Sequence, residues 1–293
     1  MFFDGFDRRR LPGADGVTIN AVVGGSGPPV LLLHGFPQSH VTWHRVGPAL
    51  ARWFTVVATD LRGYGDSDKP PSDREHRVYS KRATGNDQVA VMRSLGFRRF
   101  RLVGWDRGAR VAHRIALDHP DAVERIAVLS IAPSREMLAR VNVGFALAYY
   151  HWFFLAQPYD FPERAILADP ENFVLRNLGA ASGGPNEGVF APEALAEYVR
   201  CYRDPGVVHA TCEDYRAMMS VDLRDDEEDG GRKIAAPLFA MWGDRGVIQQ
   251  MFDAQSLWRE RAENVTADVI AGGHYICEEN PETVVTKLLA FLT

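Results

Sequence analysis

A chain of 293 residues, 46% apolar and 24% charged, is long enough for one large α/β domain or for a core domain with an insertion. Its net charge of -5 comes without a basic stripe, which argues against a nucleic-acid partner, and its longest apolar stretch, Val141 to Ala156, is broken by Asn142 and His151 and predicts no membrane span. Three cysteines (Cys201, Cys212, Cys277) without metal-ligand spacing, and a short, mixed Met1 to Arg10 unlike a secretory leader, predict a soluble protein in a reducing cytoplasm.

In chain order, Val17 to Val23 alternates as an edge strand does, and Gly24-Gly25-Ser26-Gly27 reads as a hairpin turn. Pro29 to Leu33 is the continuous apolar run of a buried parallel strand, ending in His34-Gly35-Phe36-Pro37. Phe54 to Thr59 is a further strand, followed by the long loop Asp60 to Asp68. Ser80 to Leu95 has helical periodicity with Ser80 as its cap. Phe100 to Trp105 predicts a strand, Ala109 to His119 a helix stopped before Pro120, and Arg125 to Ile131 the next strand. This alternation predicts a mostly parallel, doubly wound α/β sheet.

After Pro133 the pattern changes. Helical signals, cut short by prolines at 158, 162, 170, 185, 192 and 205, run to about Arg232, and the acidic run Asp225 to Asp229 before Gly230-Gly231 reads as a solvated exit linker. Strands resume at Pro237 to Trp242 and Ala267 to Ile270, and a last helix starts at Pro281. The predicted organisation is an α/β core (1–133 and 233–293) interrupted by a helical cap (134–232).

The chemistry centres on Arg101 to Val111. A β-prone run enters Gly104-Trp105-Asp106-Arg107-Gly108, and a helical pattern follows. That is the layout of a nucleophile elbow, a tight strand-to-helix turn with the nucleophile at its tip. The tip residue is Asp106. A carboxylate attacking an sp3 carbon with a leaving group makes an alkyl ester that water can cleave, whereas attack on a carbonyl makes an anhydride. The motif therefore points to an alkyl-transferring hydrolase. The backbone N–H groups of Phe36 and Arg107 are the predicted oxyanion donors. His274, in Gly272-Gly273-His274-Tyr275 after the last strand, is the predicted base, ahead of His113 and His119 on the elbow helix. Arg107 and Arg110 could grip a planar anion, which suggests a small 2-substituted acid.

The stretches His34 to Pro37, Gly104 to Arg114, His151-Trp152-Phe153-Phe154-Leu155-Ala156-Gln157-Pro158 and Cys212-Glu213-Asp214-Tyr215-Arg216-Ala217 together resemble the fluoroacetate dehalogenases of the α/β-hydrolase superfamily. The resemblance implies that Asp106 displaces halide from C2 of a haloacetate, giving glycolate from fluoroacetate or chloroacetate. It implies that Arg107 and Arg110 hold the carboxylate and that His151, Trp152 and Tyr215 receive the halide. Neither a metal nor an organic cofactor is expected, and the partners implied are the haloacid, water and a second copy in a homodimer. N–H and O–H donors of this kind suit fluoride, a strong acceptor and poor leaving group.

The sequence departs from that pattern in places. Ser130 stands where the family carries the acid that orients the histidine; a serine could accept the imidazole N–H but brings no charge. In related hydrolases the acid follows the next strand, where this chain has Gly246, with Asp244 as a possible substitute. Trp105 replaces a common histidine, and Leu178 to Gly184 offers no aromatic residue to line a pocket, which would admit larger acids. Two other readings follow from the same residues. One is an epoxide hydrolase using Tyr149, Tyr150 or Tyr215; the other is a small-acid-binding protein with weak turnover because of Ser130.

Overall fold

The computed structural model describes residues 2–180 and 183–293. Eight strands form one sheet: β1 (Asp7–Pro12), β2 (Thr18–Gly24), β3 (Pro29–Leu33), β4 (Thr55–Thr59), β5 (Phe100–Trp105), β6 (Val123–Leu129), β7 (Leu238–Gly243) and β8 (Val265–Ile270), in the order β1-β2-β4-β3-β5-β6-β7-β8. From β4 onward every neighbouring pair is parallel, and β1 and β2 add antiparallel at one edge. Val30 to Leu33, Val56 to Ala58 and Leu102 to Val103 are wholly buried, as continuous apolar runs must be when helices cover both faces.

Two expectations at this edge are corrected. Val17 to Val23 does not form an edge strand: Asp7–Pro12 pairs with it, Asp7 opposite Val23 and Pro12 opposite Thr18. The sequence Asp-Arg-Arg-Arg-Leu-Pro carries no β pattern because both its faces are largely exposed. The glycine-rich turn is not a hairpin either, since β4 lies between β2 and β3.

The helices that follow are α1 (Val46–Leu50), α2 (Lys81–Ser94), α3 (Arg107–Asp118), then α4 (Ser134–Leu138), α5 (Val143–Ala148), α6 (Tyr150–Leu155), α7 (Phe161–Ala168), α8 (Pro170–Leu178), α9 (Pro192–Tyr202), α10 (Pro205–Met218) and α11 (Val221–Glu228) between β6 and β7. After β7 come α12 (Val247–Met251), α13 (Ala254–Arg261), α14 (Ile276–Glu279) and α15 (Pro281–Leu292). The Ser80 side chain caps α2 through the amide of Ala83 at 3.1 Å. Asp, Asn and Pro start most of the inserted helices, with Asn142, Asp169 and Asp204 accepting first-turn amides.

The acidic run is also corrected. Most of it lies in α11, and while Glu227 and Glu228 are exposed, Asp225 accepts from Arg82 at 3.0 Å and Asp229 pairs with Arg114 and Arg232. Asp225 is buried, and burial pushes the Asp226 carboxyl up to about 6. The run is a charged seam closing the insertion onto α2 and α3.

The elbow depends on a close approach of backbone to backbone. A methyl group on Gly108 would meet the carbonyl oxygens of Leu33 and His34 at 2.3 and 2.4 Å. Gly108→Ala is expected to cost about 1–3 kcal/mol, lowering Tm by about 2–4 °C per kcal/mol. Gly231→Ala, whose new methyl group would meet nothing within 4 Å, should leave the thermal melt unchanged.

Candidate active site

Asp106 stands between the end of β5 and the first residue of α3, with φ 47 and ψ -117. A non-glycine residue in that region is strained by about 1–3 kcal/mol. The strain lifts the carboxylate out of the sheet edge to face the loop after β3. There the Phe36 amide donates to Asp106 Oδ1 at 2.9 Å. Gly35 makes this approach possible, because a β-carbon on it would lie 2.5 Å from that same oxygen. His34 braces the loop, its Nε2 accepting from the Leu61 amide at 3.0 Å. The Arg107 amide begins α3 and so has no intrahelical acceptor.

His274 approaches from the opposite side, its Nε2 3.7 Å from Asp106 Oδ2. The two carboxylate oxygens are thus differentiated: Oδ1 is held by an amide and Oδ2 faces the imidazole. The histidine side chain is 31% exposed, against 11% for Asp106, so water can reach the gap between them. Burial alone would raise the Asp106 carboxyl. The facing His274 imidazole, with the guanidinium groups of Arg110 and Arg107, instead holds it well below the usual carboxylate range.

Contacts to its backbone fix the histidine loop. The Trp105 indole donates to the His274 carbonyl at 3.0 Å, and Glu279 accepts from the Gly273 and Tyr275 amides at 2.6 and 3.0 Å. Asp244 accepts from the Gly272 amide at 3.0 Å, and so braces the loop rather than the imidazole. Ser130, at the end of β6 with φ 58, has a buried Oγ with no hydrogen-bond partner. It makes no hydrogen bond to His274.

Phe36, Asp106, His151 and His274 share one cavity of about 270 Å³, with Tyr149, Tyr150, Arg176, Asn177, Val247 and Tyr275 among its other walls. The His151 ring stacks on Phe36 at 5.4 Å and stands edge-on to Tyr215 at 5.9 Å. Burial lowers the His151 pKa to about 3, the Asp106 charge only partly opposing it, so His151 is a neutral donor at working pH. Tyr215 is fully buried beside Phe36, its hydroxyl without a protein partner.

Trp152 packs against Phe145 and Tyr149, with the Arg110 guanidinium 4.8 Å over its ring. Arg107, Arg110, Trp152 and Tyr215 adjoin the lining residues and are not themselves part of the lining. Arg107 is bound through Nε to Asp214 at 2.8 Å; Arg110 donates through Nη1 to Ser134, and its buried Nε–H is unpaired. The Leu178 to Gly184 stretch contains residues 181 and 182, which lie outside the described residues.

Sequence reasoning assigned Trp105 no role and passed over Glu279, Arg176 and Asn177. Glu279 could have been suspected from its place five residues past His274. Nothing local marks the others: the Trp105 indole reaches a loop from the far end of the chain, and Arg176 and Asn177 arrive on α8, tied to the core where the Tyr275 hydroxyl donates to the Asn177 carbonyl at 2.8 Å.

The arrangement suits nucleophilic displacement by a carboxylate, followed by attack of water on the resulting ester with histidine as base. The chain matches the family model described as alpha/beta hydrolase fold over residues 28–281. It is 46% identical over 99% of its length, and 95% of the relative's, to a fluoroacetate dehalogenase of Burkholderia sp. It is 34% identical to a soluble epoxide hydrolase of Corynebacterium sp. (strain C12), over 94% of each chain. The crystal structure of ALR0039 from Nostoc sp PCC 7120 superimposes with a TM-score of 0.96 at 48% identity, covering 100% of this chain and 99% of that one.

Because the Asp106 carboxyl is held below its ordinary 3.8, it stays ionised as pH falls toward that value. Alkylation of Asp106 by chloroacetate, followed by intact mass in a single turnover, should therefore stay pH-independent from about pH 8 down to about pH 4, where a carboxyl at its ordinary value would already be losing charge. A rate that dropped tenfold per unit in that window would show that Asp106 is not the group held low.

Proposed function

The chain belongs to the fluoroacetate dehalogenase family of the α/β-hydrolase superfamily and is a hydrolase, and on that premise we propose that it hydrolyses short 2-haloacids through an ester of Asp106. The observation that carries this reading is the asymmetric hold on the Asp106 carboxylate: Phe36 N–H on Oδ1 at 2.9 Å and His274 Nε2 3.7 Å from Oδ2. Oδ2 attacks C2 of the haloacid from the side opposite the halide, the C–O bond forms as the carbon–halogen bond breaks, and halide leaves. Water then adds to the aspartyl carbonyl, giving up its proton to His274. The negative charge that develops on Oδ1 is met by the Phe36 and Arg107 amides. Collapse breaks the Cγ–Oδ2 bond as His274 returns its proton to the departing alkoxide oxygen, releasing the 2-hydroxy acid (glycolate from fluoroacetate or chloroacetate), and the remaining water proton passes to solvent as the Asp106 carboxylate is restored. The scheme calls on no metal or organic cofactor.

Arg107 and Arg110 supply the charge that draws in the substrate carboxylate, with the remaining N–H groups of Arg107 and the unpaired Nε–H of Arg110 as donors. His151, Trp152 and Tyr215 receive the departing halide; the unpartnered Tyr215 hydroxyl and the neutral His151 support this role. Residues 134–232 act as the cap domain over a core of 1–133 and 233–293. We place the working enzyme in the cytoplasm as a homodimer, which light scattering tests. Among the described residues no helix is long and apolar enough to cross a membrane.

A second reading has one specific observation in its favour: Tyr149 lines the cavity, and burial raises its pKa, so its hydroxyl is a proton donor suited to an opening epoxide. Styrene oxide turnover in the absence of halide release would put that reading first.

Asp106→Ala should abolish halide release from fluoroacetate and chloroacetate, and His274→Ala should stop after one equivalent with the adduct retained on Asp106 by mass. Because Ser130 provides no charge behind the imidazole, ester hydrolysis should limit the wild type. Wild type is expected to show a halide burst followed by a slow phase, and Ser130→Asp to accelerate the slow phase about tenfold or more without changing the burst. Equal rates in both phases for wild type would show that another group supports His274.

A further inference from the structure

Behind the elbow lies a buried charge cluster that joins the inserted helices to the core. Asp214, on α10, is 5% exposed. Its Oδ2 accepts from Arg107 Nε at 2.8 Å and from the Tyr64 hydroxyl at 2.9 Å, its Oδ1 pairs with the Lys81 ammonium, and its backbone carbonyl accepts from Arg107 Nη2 at 2.8 Å. Lys81 leans in turn on Asp222, 3.6 Å away. Arg107 itself is fully buried, so its charge depends on this partner; a lone guanidinium there would be strongly disfavoured.

The geometry restricts how Arg107 can act. A guanidinium is planar, so fixing Nε and Nη2 on two acceptors of one residue fixes the whole plane. Nη1 meets the Met218 sulfur at 2.8 Å, and the face of the group lies 4.2 Å from the Tyr215 ring. By valence, one N–H on each terminal nitrogen is left over, a fork whose direction Asp214 sets. Arg110 has no such carboxylate: its terminal nitrogens meet Ala132 O, Ser134 Oγ and Met137 Sδ. The two arginines beside the nucleophile are therefore not equivalent.

We propose that Asp214 is a positioning residue that sets this enzyme's preference for carboxylate-bearing over neutral substrates, acting through Arg107. The inference rests on the reading that Arg107 binds the substrate carboxylate. A fork held in place before the substrate arrives binds a carboxylate with little reorganisation and gives a neutral amide or epoxide no comparable gain.

The test compares chloroacetate with its neutral isostere chloroacetamide by halide release. In Asp214→Asn, KM for chloroacetate should rise about tenfold or more while kcat/KM for chloroacetamide changes less than about threefold, so that the acid-over-amide ratio falls. The pair variant Asp214→Asn/Lys81→Met removes one charge of each sign and should show the same loss, separating positioning from local charge. Tyr64→Phe, which deletes one donor to Asp214, should move the ratio in the same direction by a smaller amount and covers the case in which Asp214→Asn does not fold. An unchanged ratio, whether both substrates lose equally or neither does, overturns the proposal. If wild type releases halide from chloroacetamide but not from chloroacetate, the carboxylate reading of Arg107 falls first and the proposal with it.

Discussion

Everything in this molecule that bears on chemistry follows from keeping one buried carboxylate charged and aimed. Asp106 gains its reach from a backbone conformation that ordinary residues avoid, and the sheet is what holds it there. β3 and β5 run parallel and adjacent, so the loop after one and the elbow after the other meet at the same sheet edge. The Phe36 amide, Gly35 and Gly108 are consequences of that meeting. A carboxylate so placed would protonate if burial were its only influence, and the surrounding cations prevent it.

Those cations raise the same problem one layer further back. Arg107 is buried even more completely than Asp106 and depends on Asp214, which is shared with Lys81 and Tyr64. The chain of counter-charges runs from α3 in the core, through α10 in the insertion, to α2. Below it, Asp225 and Asp229 meet Arg82, Arg114 and Arg232. The insertion is thus attached by ionic contacts as well as by its apolar faces, and the acidic run is the lower end of that attachment.

The histidine is held differently. Its loop is gripped through backbone atoms by Trp105, Glu279 and Asp244, while Ser130, in the place of the expected acid, contributes no hydrogen bond to the ring. Backbone restraint orients an imidazole but does not offset the charge of an imidazolium. On the proposed mechanism, displacement has its groups in place, while ester hydrolysis lacks a charged partner to His274. Trp105 anchors the histidine loop by its indole N–H, a role that packing considerations alone did not suggest.

Much of this was legible along the chain. The continuous apolar runs that became β3, β4, β5, β6 and β7, the Gly-X-Asp-X-Gly turn, the Ser80 cap and the switch to helices after Pro133 are local patterns, and local patterns survive translation into a linear sequence. So is the placing of Asp106 at the tip of that turn, because the turn needs glycines at set positions. What the sequence could not decide is contact between distant segments. β1 was invisible because an exposed edge strand has no burial to pattern it, and its pairing with β2 displaced the expected edge and hairpin. The acidic run was ambiguous because a charge pattern is the same whether water or arginine faces it. Arg107 reads as a free anion-binding residue until Asp214 arrives from more than a hundred positions away. Burial and counter-charge belong to the fold: desolvation makes each buried charge costly, and only the tertiary structure shows which partner offsets it.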